Sequence, residues 1–219
     1  GRMCGIVGYV GKRRALTELL LDGLQRLEYR GYDSAGLALL SDGGIRTVKT
    51  AGKVSDLRAQ VAVEWPEPGE REAAAGIAHT RWATHGPPTA VNAHPHLGGG
   101  GRFAVVHNGI IDNYQALRQR LIGRGCQFVS ETDTEVLAHL IAECYEGDLV
   151  RAVAATLRQV EGTFGLAVIG AAHPGLLVVA RRGSPMVIGL GEGEALVASD
   201  ATPLVAHTRK VIYLDDNDL

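Results

Sequence analysis

The residue best suited to covalent chemistry is Cys4, which follows Met3 and precedes Gly5. A free thiol titrates near ~8.5 and needs a base or a positive field to attack at neutral pH. If Met3 is removed, Cys4 carries a free α-amine, which titrates near ~7.7–8.0. Such a residue holds its own general base, acting directly or through one water. Gly5 keeps side-chain bulk away from the nucleophile. The rival reading is a small buried hydrophobe that opens a strand.

Three further stretches could serve such a nucleophile. In His79-Thr80-Arg81-Trp82-Ala83-Thr84-His85-Gly86, Arg81 offers a planar fork suited to a carboxylate. Thr84 and His85 add hydrogen-bonding groups, and Trp82 adds an apolar wall. The stretch runs from a strand into an irregular loop, where binding groups concentrate; otherwise it is a solvated loop with Trp82 in the core. His79, His85, His94 and His96 also invite a zinc reading, which the lack of a helical His-x-x-x-His pair disfavours. At His107-Asn108-Gly109, the Asn108 amide and the Gly109 N–H are two donors that could converge on a developing oxyanion. Alternatively, Asn-Gly is only a turn. Ser130-Glu131-Thr132-Asp133-Thr134-Glu135 reads as a helix start with acidic first-turn residues, whose acceptors could also hold an ammonium group. Gly189-Leu190-Gly191-Glu192-Gly193 lacks the context of a phosphate loop and reads as a turn. Cys126 and Cys144 read as structural.

The elements that must position these residues alternate in blocks. Gly5 to Val10 reads as a central strand, and 13–26 as an amphipathic helix with leucines at helical spacing. Strands at 35–40 and 45–50 flank a hairpin turn at Ser41-Asp42-Gly43-Gly44. A helix is expected at 53–63, a loop at 65–70, and a strand at 76–79 leading into an irregular stretch over 80–101. A strand at 102–107 follows, then helices at 113–123, 134–145 and about 149–160, with Asp112 or Asn113 as N-cap of the first. Short apolar strands at 164–169, 176–180, 186–188, 195–198 and 211–214 complete the pattern. Mostly hairpin-connected strands predict an α+β layered domain with antiparallel sheets rather than a doubly wound parallel fold.

Bulk properties narrow the classes. Of 219 residues, 46% are hydrophobic, enough for a sizeable core. Lys plus Arg is 22 against 24 Asp plus Glu, a formal charge of −2, which suggests neither nucleic acid nor an anionic membrane as partner. No apolar run approaches the ~20 residues of a membrane helix, and no signal-peptide layout opens the chain. Three widely spaced cysteines argue against a disulfide framework and for a reducing, cytoplasmic setting. Gly1-Arg2 reads as an addition ahead of Met3.

Six strings occur together and in order: Met-Cys-Gly-Ile-Val-Gly at 3–8, Leu-Glu-Tyr-Arg-Gly-Tyr-Asp-Ser-Ala-Gly at 27–36, the string at 79–86, Asn-Ala-His-Pro-His at 92–96, His-Asn-Gly-Ile-Ile at 107–111 and Ser-Glu-Thr-Asp-Thr-Glu-Val at 130–136. The set resembles the glutaminase domain of the glutamine–fructose-6-phosphate aminotransferases, which are class II glutamine amidotransferases with the N-terminal nucleophile hydrolase fold. The resemblance covers nearly the whole chain. It implies a four-layer α/β/β/α sandwich. Cys4 matches the nucleophile that attacks the L-glutamine side-chain amide, and Asn108 with the Gly109 N–H matches the oxyanion hole. Arg81 matches the group that grips the substrate α-carboxylate, and Asp133 the group that holds its α-ammonium. Thr84 and His85 line the same pocket, and Trp82 sits near the exit toward an ammonia channel. Arg30 and Tyr32 fall in a loop near the site without an assigned role. No metal or cofactor is implied.

In this family the glutaminase domain is joined to a C-terminal sugar-phosphate isomerase region, and the full enzyme is a homodimer that makes glucosamine 6-phosphate. This chain stops about where that region would begin, so only the glutaminase half is expected. With Met3 attached, the Cys4 nitrogen is a peptide amide and glutaminase activity is expected to be poor. Two other readings compete: a class II amidotransferase with another acceptor, such as phosphoribosyl pyrophosphate, and a non-catalytic glutamine sensor.

Overall fold

The computed structural model describes residues 3–219; Gly1 and Arg2, expected to be additions ahead of Met3, lie outside the described residues. From Cys4 the chain enters β1 (Gly5–Gly11) and then α1 (Leu16–Gln25), which buries Leu16, Leu20, Leu21 and Leu24 along one stripe. The helix starts later than the expected residue 13. The Arg13 N–H donates to the Tyr9 hydroxyl at 2.9 Å, and Ala15 bridges to Glu72, so these residues pair sideways instead of winding. β2 (Ser34–Ser41) and β3 (Gly44–Ala51) form the expected hairpin, with Ser41 opposite Gly44. α2 (Val54–Glu64) follows, its start closed by the Asp56 carboxylate, which accepts from the Lys53 N–H at 2.7 Å.

β4 (Ala75–Arg81) carries the next expected strand as far as Arg81. Within the stretch expected to be irregular lies β5 (His96–Gly98), too short to show a period, with His96 opposite Val105 of β6 (Phe103–Asn108). The helices α3 (Tyr114–Gly123), α4 (Glu135–Cys144) and α5 (Leu149–Leu157) come next. Asn113 occupies the N-cap position of α3 but does not cap it: its Oδ1 accepts from the Glu161 N–H and its Nδ2 donates to the Gln159 carbonyl. The strands β7 (Phe164–Gly170), β8 (Val178–Arg182), β9 (Val187–Gly191), β10 (Glu194–Ala198) and β11 (Val211–Tyr213) close the fold.

The named strands form a seven-stranded sheet, β11-β9-β10-β1-β4-β2-β3, and a four-stranded sheet, β5-β6-β7-β8. Every ladder is antiparallel. The core divides into three slabs. Leucines of α1 and Val54, Leu57 and Val61 of α2 pack on Val7, Tyr9, Leu37 and Ala78 of the large sheet. Residues of α3, α4 and α5 pack on Phe103, Val105, Leu166 and Val168 of the small sheet. Between the sheets, Ile6, Ala38, Ala75 and Ile77 meet Ala104, Val106, Ala167 and Ile169. The result is a four-layer α/β/β/α sandwich, as the resemblance implied.

Strand alternation explains how the middle slab leads to the chemistry. On β4, Ala75 and Ile77 face the other sheet, and His79 and Arg81 continue that parity. On β6, Ala104 and Val106 face it, and Asn108 continues. Ile6 of β1 faces it, and Cys4 precedes Ile6 by two. At one end of the slab the apolar residues of three strands therefore give way to Cys4, His79, Arg81 and Asn108.

Candidate active site

A cavity of about 250 Å³ opens at that end, and Cys4, Arg81, Trp82, Thr84, Asn108, Gly109 and Asp133 all line it. The pairing of β1 with β4, which sets Gly5 opposite Thr80, brings Cys4 beside Trp82. The Trp82 N–H donates to Cys4 Sγ at 3.1 Å, and the Trp82 carbonyl oxygen lies 3.6 Å from the same sulfur. Burial pushes the Cys4 thiol up, and the Trp82 N–H and the Arg81 cation only partly offset it. The thiol is therefore protonated at neutral pH and needs a base. The Cys4 carbonyl is fixed from two sides, by Asn108 Nδ2 at 3.0 Å and Arg30 Nη1 at 3.2 Å.

Asn108 is the last residue of β6, not a turn residue as its Asn-Gly sequence could suggest. The turn belongs to Gly109, whose φ is +124° and whose missing Cβ would sit 2.3 Å from the Thr163 carbonyl oxygen. Only glycine fits there, and its backbone faces the cavity beside the Asn108 amide.

Arg81 is buried, which lowers its pKa, while Asp33 and the other nearby acids work in the opposite direction. Its guanidinium donates to the carbonyls of His85, Pro87 (3.1 Å) and Gly86 (3.3 Å), so the loop 85–87 aims it. That loop is clamped in turn. Asn92 Nδ2 donates to the Pro87 carbonyl at 2.9 Å, and Asn92 Oδ1 accepts from the Glu131 N–H at 2.9 Å. The Glu131 segment leads to Asp133, whose Oδ2 accepts from the Ile111 N–H at 2.8 Å. One buried asparagine thus links the cationic and anionic sides of the cavity. His85 does not line the cavity. Its Nδ1 lies 3.8 Å from Asp133 Oδ1 and its ring meets Tyr114 edge-on.

Sequence reasoning assigned no role to several residues that build the site. Asp33 holds the Trp82 loop by accepting from the Ala83 N–H at 2.7 Å. Arg30 lines the cavity and donates to Ser199 Oγ at 2.7 Å, while Tyr32 stays outside it. Both Asp33 and Arg30 lie in the string at 27–36; nothing local marks Ser199. Thr163 and Ser184-Pro185 also line the cavity.

Of the histidines considered for zinc, His79, His94 and His96 gather, and His85 does not. The His79 and His94 rings stack at 4.0 Å, and His96 meets His94 at 4.9 Å. Burial lowers the pKa of each. Among the described residues no group of three or more His, Cys, Asp or Glu is arranged to hold a metal ion. Cys126 and Cys144 are free thiols that pack against the helix-side core of the small sheet.

The model of the glutamine amidotransferase domain matches residues 79–206, more than half of the chain. The chain is 52% identical over 99% of its length to the isomerizing glutamine–fructose-6-phosphate aminotransferase of Chlorobaculum tepidum. It is 56% identical over 98% of its length to the protein of that name in Symbiobacterium thermophilum. It spans 35% and 34% of those relatives, about a third of each. Among solved structures, the glutamine phosphoribosylpyrophosphate amidotransferase of B. subtilis superposes with a TM-score of 0.76 at 25% identity, covering 96% of this chain and 44% of that one. The layered fold, the cavity at the end of the inter-sheet slab and the domain match agree: this chain belongs to the glutamine amidotransferase family.

Proposed function

We propose that the chain is a glutaminase that releases ammonia from L-glutamine through a thioester on Cys4. The observation that carries this reading is the shared cavity. A thiol, two oxyanion donors, a buried guanidinium and a buried carboxylate all line one space. Arg81 pairs with the substrate α-carboxylate and Asp133 with its α-ammonium, which selects an amino acid over a simple amide. The δ-amide then lies at Cys4. With Met3 removed, the Cys4 amine takes the thiol proton as sulfur attacks the δ-carbon. The oxyanion accepts from Asn108 Nδ2 and the Gly109 N–H. The amine passes its proton to the departing nitrogen, the C–N bond breaks, and ammonia leaves. Water then cleaves the thioester to glutamate and restores the thiol. Thr84 and Trp82 wall the cavity, Trp82 on the side toward which ammonia leaves, and His85 supports Asp133 from behind.

Identity above half to fructose-6-phosphate aminotransferases favours fructose 6-phosphate as the final acceptor over phosphoribosyl pyrophosphate. In this reading the chain acts in the cytoplasm as the glutaminase part of a longer homodimeric enzyme, where a sugar-phosphate isomerase region uses the ammonia. Among the described residues no helix is long and apolar enough to cross a membrane.

An electrophilic glutamine analogue followed by peptide mapping tests the proposal. Labelling is expected at Cys4, with glutamate release lost in Cys4→Ala; labelling at Cys126 or Cys144 would overturn it. Retained glutamine binding without turnover in the parent would favour a sensor instead. Intact mass and glutamate release measured together test the base, since full turnover from a chain that keeps Met3 would remove the α-amine from the mechanism.

A further inference from the structure

His79 lies on β4, yet its ring reaches across the slab to the end of β6. Its Nε2 is 3.1 Å from the His107 carbonyl oxygen and 2.9 Å from Asn108 Oδ1. A carbonyl oxygen only accepts, so Nε2 must carry the proton. Nδ1 is left with its lone pair, and it is buried without a partner. The ring is fully buried and lies flat against His94, with 8° between the planes. Burial, aided by His107 and Arg81 and only partly offset by the contacts with Asn108 and the His107 carbonyl, takes its pKa down to about 3, so it stays neutral across the working range of most enzymes.

The two ends of an asparagine amide are nearly the same size, and only its hydrogen-bond partners decide which way it faces. Flipped, Asn108 would aim a carbonyl oxygen at a developing oxyanion and repel it. We propose that His79 is a positioning residue for the oxyanion site: its Nε2–H, anchored on the His107 carbonyl, captures Asn108 Oδ1 and thereby turns the Asn108 NH2 toward Cys4. The inference rests on the glutaminase reading above. The Nδ2 bond to the Cys4 carbonyl holds the other end of the same amide. One N–H of that group is engaged there, and the second is left for substrate. A histidine that only filled core space would need no N–H on this side.

The test uses the chain processed to Cys4. His79→Leu keeps much of the bulk and removes the donor; His79→Gln can restore one. His79→Leu is expected to lower kcat for glutamine hydrolysis by about 10²-fold, the scale of a lost oxyanion donor, while KM moves little. His79→Gln should recover most of that loss. In an Asn108→Ala background the same His79→Leu change should cost less than about threefold, because there is no amide left to orient. An equal loss in both backgrounds would make His79 merely structural and overturn the proposal. The ring ¹⁵N spectrum gives a readout that does not depend on turnover: an Nε2–H tautomer is expected, and an Nδ1–H tautomer would sink the inference. A parent without turnover but with the Nε2–H tautomer would instead sink the glutaminase reading, so the two failures are distinguishable.

Discussion

At Cys4 the Trp82 N–H favours a thiolate while burial opposes it, and burial prevails. The sign gives a measurable consequence. In the chain that keeps Met3, alkylation of Cys4 by iodoacetamide should reach half its limiting rate above the ordinary thiol range near ~8.5. A midpoint at or below that of free cysteine would show that the local donors outweigh burial. Asn108 is the other decisive single residue. In the proposed mechanism truncation to alanine removes an oxyanion donor, at a typical cost of ~2.7–4 kcal/mol in the barrier. Asn108→Ala should therefore lose about 10²–10³ in kcat with glutamine still bound, read from initial rates and a binding isotherm. Both residues stood out in the sequence for their chemistry, but neither the Trp82 contact nor the Cys4 carbonyl contact did. Residue type is local information, whereas those partners lie 78 and 104 positions away.

Among the elements, the loop between β4 and β5 is the piece that the rest must hold. It carries the carbonyls that aim Arg81, and Asn92 ties it to the Glu131 segment. Asn92→Ala should loosen the guanidinium and raise KM for glutamine by about three- to tenfold, the scale of one or two lost hydrogen bonds. An unchanged KM would mean that Arg81 holds its place without the clamp. The same loop crosses β2 at Gly36, where an added Cβ would stand 2.1 Å from the His94 carbonyl oxygen. Gly36→Ala must push the loop outward. It should destabilise the chain by about 1–3 kcal/mol, as overpacking does, and lower turnover together with stability. Urea melts beside rate measurements check this. The sequence marked this stretch as irregular and therefore functional. It did not reveal the three-residue β5, because a strand that short has no detectable period.

Across the whole molecule, the buried histidines couple stability to pH. Burial lowers the pKa of His79, His94, His96 and His107 below the ordinary histidine value near ~6.5. The unfolded chain takes up protons at these sites below about pH 6.5, and in the folded chain uptake is shifted to lower pH, to about 3 for His79. Stability is therefore fully present above that range and is lost as pH falls through it. Each histidine that stays neutral in the folded chain contributes a slope of up to ~1.4 kcal/mol per pH unit. The carboxyls of Glu135, Glu194 and Asp200, held low by their donors, add to the loss at still lower pH. The urea midpoint should fall steeply between pH 7 and pH 5; a flat midpoint would show that these rings protonate without unfolding.

The sequence alone singled out the nucleophile, donor pair, guanidinium and carboxylate of the proposed mechanism, because they fall in six short strings that occur together and in order. It also determined most elements, because periods of 2 and 3.6 are written locally. Even the direction of the site was latent in the alternation Ile77-His79-Arg81 and Val106-Asn108. That those two alternations meet follows from the packing of the sheets. Stacking the two sheets face to face brings the polar ends of β1, β4 and β6 to one edge of a shared apolar slab. That packing set the His79 ring against Asn108, gave Arg30 and Ser199 their place in the cavity lined by Cys4, and left His85 off its lining. Side-chain partners across a sandwich depend on how two sheets sit on each other, and no spacing along a single chain encodes that.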